Sequence, residues 1–157
     1  MKLFLVLFAI VGGTVSVSSP AAEKPRLAKS EYLITDWCGF LIERGEAGID
    51  YALSIKLIKP TAAPLYLRTL FENPMGGRPM IVDSEVKRGE TAFRLRSEAV
   101  PDLRDDHTYR VKILIFDSAQ RRHQIGQHVQ YVRFINPFGP NQTMQPTAGR
   151  CNEKVNG

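Results

Sequence analysis

Alternation of apolar and polar side chains at every second residue is the feature that most limits what this chain can fold into. The clearest run is 108–117, in which Tyr109 and every second residue up to Ile115 are apolar. Residues 50–58 and 91–97 alternate in the same way. Because a β-strand turns successive side chains to opposite faces, this period predicts half-buried strands. Little sustained helical periodicity is present, so the pattern predicts an all-β chain.

Shorter or less regular strands are predicted at 32–42, 79–84 and 124–136. In the last of these the phase changes between Val129-x-Tyr131 and Val132-x-Phe134, and we expect a β-bulge there. Turn-forming residues separate the predicted strands, and no long helix stands between them to supply parallel crossovers. This organisation predicts one antiparallel β-sandwich.

The segment from Pro64 to Glu72 fits two structures. Its apolar residues suit one face of a short helix and also one face of a strand. The following turn Pro74-Met75-Gly76-Gly77 would connect a strand to 79–84, and the strand is therefore favoured.

The approach to the 108–117 strand has a recognisable form. Leu103 is followed by Asp105-Asp106-His107 and then by Tyr109-x-Val111-x-Ile113. This resembles the penultimate strand of immunoglobulin-like and fibronectin-type sandwiches, where a Tyr packs beneath a corner and bonds back to the backbone. The resemblance implies an immunoglobulin-like β-sandwich and a structural role for Tyr109. It also extends to small exported bacterial domains of unknown function.

Both ends of the chain are expected to lie outside the sandwich, which is predicted at 31–137. Lys2 is followed by a nine-residue apolar run and then by small residues up to Ala22, which predicts a signal peptide at 1–22, followed by a linker at 23–30. The run is far shorter than the ~20 residues of a membrane-spanning helix. We therefore expect a periplasmic or secreted protein with no membrane span in the mature chain.

The C-terminal segment 138–157 is predicted to be disordered, because it contains too few apolar residues to offset the cost of ordering its backbone. The run from Thr143 to Arg150 resembles the translated recombination-site ends of integron gene-cassette proteins. The only two cysteines are Cys38 and Cys151. An oxidising compartment would allow one disulfide between them, but a cysteine on a loose tail lacks the fixed separation that a bridge requires.

Basic residues are the most informative surface feature of a chain whose formal net charge is +5. They occupy outward positions of the predicted strands. If those strands pair, the cations share one sheet face and favour an anionic ligand, although a solvated face would carry the same residues. The predicted binding residues are Arg94, Arg96, Arg110, Lys112 and Arg133.

The expected partner is an unknown protein or an anionic molecule of the cell envelope. Nucleic acid is disfavoured by the export signal and by the scarcity of aromatic residues among the basic ones. A second candidate surface is an exposed sheet edge, which could accept a partner's strand. The sequence does not identify that edge.

Chemical motifs are absent from the sequence. It has no GxGxxG, Walker, HExxH, CxxC pair or GxSxG pattern, so no cofactor and no catalytic residue is predicted. His123 and His128 would lie too far apart on a strand to share a metal, unless the chain turns at Gly126. We therefore expect a noncatalytic binding module. The alternative is a small extracytoplasmic hydrolase or metal-dependent enzyme that uses His123, His128 and Asp117.

Overall fold

Seven β-strands occur in the part of the chain that the computed structural model describes, residues 28–41, 48–101 and 103–136. Within these ranges no segment is helical, and no helix has the length and apolarity that a bilayer crossing needs. The all-β prediction is confirmed. The strands are β1 (Leu33–Leu41), β2 (Asp50–Leu57), β3 (Leu65–Phe71), β4 (Met80–Val86), β5 (Ala92–Arg96), β6 (Thr108–Phe116) and β7 (Gln124–Arg133). The predicted signal peptide and the segment 138–157 lie outside the described residues.

The strands form two antiparallel sheets that share one hydrophobic core. The first sheet has the order β1-β2-β5, and the second has the order β4-β3-β6-β7. The chain therefore crosses between sheets after β2, after β4 and after β5. This is the immunoglobulin-like sandwich that the sequence predicted, and it puts β5 and β6 in different sheets.

Side-chain alternation determines which residues enter the space between the sheets. On β2, Tyr51, Leu53 and Ile55 are buried, whereas Lys56 is exposed. The inward residues of β6 have no exposed surface at all, and they are Tyr109, Val111, Ile113 and Ile115. Full burial of one such aliphatic side chain stabilises the fold by about 1.5–3 kcal/mol. The core therefore follows directly from the period of two.

The ambiguous segment from Pro64 to Glu72 forms the central strand β3. Its buried residues alternate strictly with half-buried ones, and β4 and β6 pair with it on either side. The strand interpretation is confirmed. The turn at Gly76 and Gly77 connects β3 to β4, and both glycines have the positive φ that such a turn needs.

A bulge in β1 changes which side chains of that strand face the core. Thr35 pairs with Ile55 and Trp37 pairs with Ser54, so Asp36 is an extra residue. Thr35 and Cys38 are both buried as a result, and Trp37 lies on the outer face.

The bulge in β7 lies near Ile125, where the register with β6 shifts, and not at Tyr131 as the sequence predicted. His128, Gln130 and Val132 are all buried, so the strand keeps one phase along this stretch. The predicted position was wrong because two inward positions hold polar residues, which the apolar pattern cannot register.

Both buried side chains form hydrogen bonds, although the His128 Nδ1 has no hydrogen-bond partner among the described residues. The Gln130 Oε1 accepts a bond from the Ala28 N–H at 2.8 Å, and its amide nitrogen donates to the Tyr131 carbonyl at 2.6 Å. The His128 Nε2 and the Thr35 Oγ1 are hydrogen-bonded at 2.8 Å. Because buried polar groups are costly without partners, these bonds hold the start of the described chain and β1 against β7.

Tyr109 makes the corner contact that the sandwich resemblance implied. Its hydroxyl accepts a hydrogen bond from the Arg104 N–H at 2.8 Å, and its ring packs edge-on against Phe40 and Tyr51. The corner bond fixes the loop that leads into β6 against the core.

Replacing Tyr109 with Phe removes this bond and leaves the ring in place. We expect the free energy of unfolding in urea to fall by about 1–2 kcal/mol, because the Arg104 N–H loses its acceptor. Tyr131→Phe is the control, since the Tyr131 side chain is 48% exposed. Equal stability of the two variants would contradict the role given to the corner.

Candidate functional site

The predicted basic residues do not share one face of the sandwich. Arg94 and Arg96 point outward from β5 in the first sheet, whereas Arg110 and Lys112 point outward from β6 in the second. The condition for a shared basic face, pairing of these two strands, is not met, because β5 pairs with β2 and β6 lies between β3 and β7. Arg133, on β7, belongs with the β6 pair. Two separate basic patches on opposite outer faces are the result.

The patch on the second sheet is partly compensated by acidic groups. Arg133 forms an ion pair with Asp106. A depression of about 390 Å³ lies between β6 and the loop that follows β3, and it is lined by Arg110, Lys112 and the carboxylate of Glu72. That carboxylate also accepts a hydrogen bond from the Arg110 N–H at 2.9 Å. An anion entering this depression would meet a negative charge beside the positive ones.

The patch on the first sheet lines a larger depression of about 480 Å³, which we call the outer groove. Its β1 side is Trp37 and Leu41, and its β5 side is Arg94 and Arg96. Trp37, Ser54 and Arg94 stand in one row across the three strands. Since neighbouring strands lie 4.7–4.9 Å apart, the backbones that carry Trp37 and Arg94 are about 10 Å apart.

Short side chains make the floor of the outer groove. Gly39, Ala52 and Arg96 form the row next to Trp37, Ser54 and Arg94. The outward side chains of the middle strand between the indole side and the arginine side are therefore those of Ala52 and Ser54. A long side chain at either position would fill the space.

Trp37 joins the groove because of the β1 bulge. Thr35 and Cys38 both face the core, and only the extra residue Asp36 allows the intervening Trp37 to lie on the outer face. The sequence analysis missed Trp37 and Leu41 as site residues, since it examined only basic and titratable ones. The sequence signal that would have found them is the set of small residues around them, Gly39 between them on β1 and Ala52 and Ser54 on the neighbouring strand β2.

Charge in the outer groove is unevenly compensated. The Arg96 guanidinium pairs with the carboxylate of Asp50, whose side chain is only 8% exposed. Lys56 and Asp36 form an ion pair at 2.6 Å beyond the other end. Arg94 has no acidic partner among the described residues and is exposed. Arg94 is therefore the cation most available to an anionic ligand.

The three residues of the metal-site alternative do not converge. His123 Nδ1 lies 2.7 Å from Asp117 Oδ2 in an exposed loop, and this hydrogen bond lowers the pKa of Asp117. His128 is inside the core on β7, bonded to Thr35. In the described ranges no three His, Cys, Asp or Glu side chains are grouped to hold a metal ion. The alternative fails geometrically because His128 points inward, whereas His123 is outside.

Cys38 is fully buried on β1 and is not a free thiol. Cys151, its predicted partner, lies outside the described residues. The pairing of the two cysteines therefore stays a prediction.

The chain has a remote structural likeness to solved enzymes. No family model matches it, and no curated protein matches it. A Bacteroides uniformis β-glucuronidase aligns with 66% of this chain at 21% identity and a TM-score of 0.39. β-Glucuronidase 2 of the same organism, covalently bound to cyclophellitol-6-carboxylate aziridine, aligns at 20% identity and a TM-score of 0.37. The chain spans only 13% of either protein, and likeness at this level carries no argument about function.

Burial of His128 predicts a pH-dependent stability. Desolvation lowers its pKa to about 4 from the usual 6.5, so the unfolded chain binds a proton in a range where the folded protein does not. Stability is therefore complete above pH 6.5 and falls as the pH drops toward 4, by up to about 3 kcal/mol.

Urea unfolding of the wild type and of His128→Gln at each pH measures this loss. The stability difference between the two proteins should change steeply from pH 7 to pH 4.5. His123→Gln, which removes an exposed imidazole, should lose as much stability as the wild type does when the pH is lowered. A difference between wild type and His128→Gln that stays constant over this range would contradict the prediction.

Proposed function

We propose that this chain is a noncatalytic binding module that acts outside the cytoplasm and takes an anionic ligand in the outer groove. The observation that supports the proposal is the joint position of Trp37 and the uncompensated Arg94 on either side of a floor of small residues. An expected partner is an anionic molecule of the cell envelope or an acidic segment of a protein.

The two sides of the groove suit different parts of such a ligand. A guanidinium presents several N–H donors in one plane and binds a carboxylate or phosphate through two parallel bonds. The buried Asp50 holds Arg96 in place, so less side-chain freedom is lost when a ligand binds. Trp37 and Leu41 offer apolar surface to the part of the ligand next to its charge.

No observation in the described residues favours the hydrolase or metal-enzyme alternative. His123 and Asp117 form an exposed pair on the loop between β6 and β7 of the second sheet, whereas the outer groove lies on the first sheet. The outer groove itself contains no Ser-His or Cys-His arrangement for nucleophilic catalysis. Its chemistry is that of recognition.

Variants of Arg94 test the proposal on a heparin column and in solution. Trp37 is the only tryptophan of the chain, so its fluorescence reports directly on groove occupancy when a soluble heparin fragment is titrated. We expect Arg94→Ala to weaken binding about 10- to 100-fold, the range for losing a hydrogen bond to a charged group.

Arg110→Ala is the matched control because it removes the same charge from the opposite outer face. It should retain heparin binding and the fluorescence change within about twofold. Equal weakening of both variants would show that net charge, and not the outer groove, holds the anion, and it would overturn the proposal.

Export is tested by expressing residues 1–157 with a C-terminal tag in a Gram-negative host. The protein should appear in the periplasmic or secreted fraction, and mass spectrometry should place its N-terminus near residue 23, because the apolar run and the small residues after it direct cleavage there. An uncleaved protein in the cytoplasm would contradict the extracytoplasmic location.

A further inference from the structure

The outer strand of the outer groove is also an edge of the first sheet. β5 pairs with β2 on one side, and no described strand pairs with it on the other. Such an edge presents unpaired backbone groups that another extended segment can bind. β5 is therefore both the basic wall of the groove and an open edge.

The hydrogen-bond phase shows which residues of β5 face that edge. The Ser97 N–H donates to Tyr51, and the Leu57 N–H donates to Thr91, at 3.0 and 2.9 Å. In an antiparallel pair, alternate residues direct both backbone groups to the partner strand. The odd-numbered residues of β5 thus bond to β2, and Ala92 and Arg94 direct their N–H and C=O groups to the open edge.

The side chains along this edge set the pattern that an added strand must match. Arg94 points to the outer face, whereas Phe93 points inward, packs against the core and remains half-exposed at the edge. An added strand would place acidic side chains beside Arg94 and apolar side chains beside Phe93. Opposite charges on neighbouring strands and burial of the exposed part of an apolar ring both stabilise such a strand pair.

Other edges of the sandwich are less suited to an acidic strand. Residues 28–30 fold back on the first half of β1, as the bond from the Thr35 N–H to the Ala28 carbonyl shows. The Ala28 bond to Gln130 and the Tyr32 ring against Gly126 cover part of β7. β4 carries outward carboxylates, including Asp83, which is paired with Arg68.

We propose that an extended peptide segment of a partner protein, with acidic and apolar residues in alternation, adds antiparallel to the β5 edge. This inference rests on the proposed function, since Arg94 serves both, and it names the partner as a peptide strand and not a free anion. The antiparallel direction matches every strand pair among the described residues and gives the better hydrogen bonds. The acidic residue opposite Arg94 then directs its own N–H to β5.

The probe is a nine-residue peptide that alternates Glu and Val, with a fluorescent label on its N-terminus and a blocked C-terminus, and the fluorescence anisotropy of the label is recorded as the protein is added. A second peptide carries N-methyl groups on the Glu residues, whose N–H groups would face β5. A third carries them on the Val residues, whose N–H groups would face solvent. The three peptides have the same charge and side chains, so any difference reports main-chain bonds.

We expect the unmodified and the N-methyl-Val peptides to bind alike and the N-methyl-Glu peptide to bind at least about tenfold more weakly, from the loss of two or more hydrogen bonds. The Arg94→Ala variant should bind the unmodified peptide more weakly than the wild type does, and the Arg110→Ala variant should bind it as the wild type does. Antiparallel strand addition would be overturned if all three peptides bound equally, or if only the N-methyl-Val peptide lost binding.

The heparin titration separates the two proposals. If Arg94→Ala loses heparin binding but methylation of the peptide has no effect, anion binding stands and strand addition falls. If Arg94→Ala binds both heparin and the peptide as the wild type does, both proposals fall.

Discussion

Burial of one face of each sheet against the other is the constraint on which the whole molecule depends. The inward residues of β2 and β6, such as Ile55 and Ile113, are buried, so neither strand can rotate or slip by one residue without turning its core side to solvent. That fixed register also places the outward residues. Trp37, Ser54 and Arg94 form one row only because the residues beside them are held in the core. The candidate site is thus a consequence of core packing.

Local departures from regular strands give the outer groove its character. The Asp36 bulge turns Trp37 outward while keeping Thr35 and Cys38 in the core. The short residues Ala52 and Ser54 then leave the space that the indole and the guanidinium groups flank. Bulges often redirect a side chain in this way at functional sites. On the opposite sheet, Glu72 and Asp106 offset the basic residues, which makes the two outer faces electrostatically unlike.

The sequence predicted what depends on local order and missed what depends on pairing. Alternation along β2 and β6 was sufficient to predict these strands, and the position of Tyr109 was sufficient to predict its contact with the corner before β6. The position of Arg94 relative to Arg110 was not accessible, because strand order is set by contacts between residues far apart in the chain. The β7 bulge was misplaced for a second reason: the inward positions of His128 and Gln130 depend on hydrogen bonds to Thr35 and Ala28, which no apolar pattern records.

The most direct test of the account is a nuclear magnetic resonance titration of the ¹⁵N-labelled protein with the heparin fragment. Residues that bind the anion change their chemical shifts as it is added. The account predicts the largest changes at the Trp37 indole N–H, the Arg94 side chain and the amides of β5, with the amides near Arg110 unchanged. Changes centred on β6 and β7, or spread evenly over the basic residues of both sheets, would contradict it.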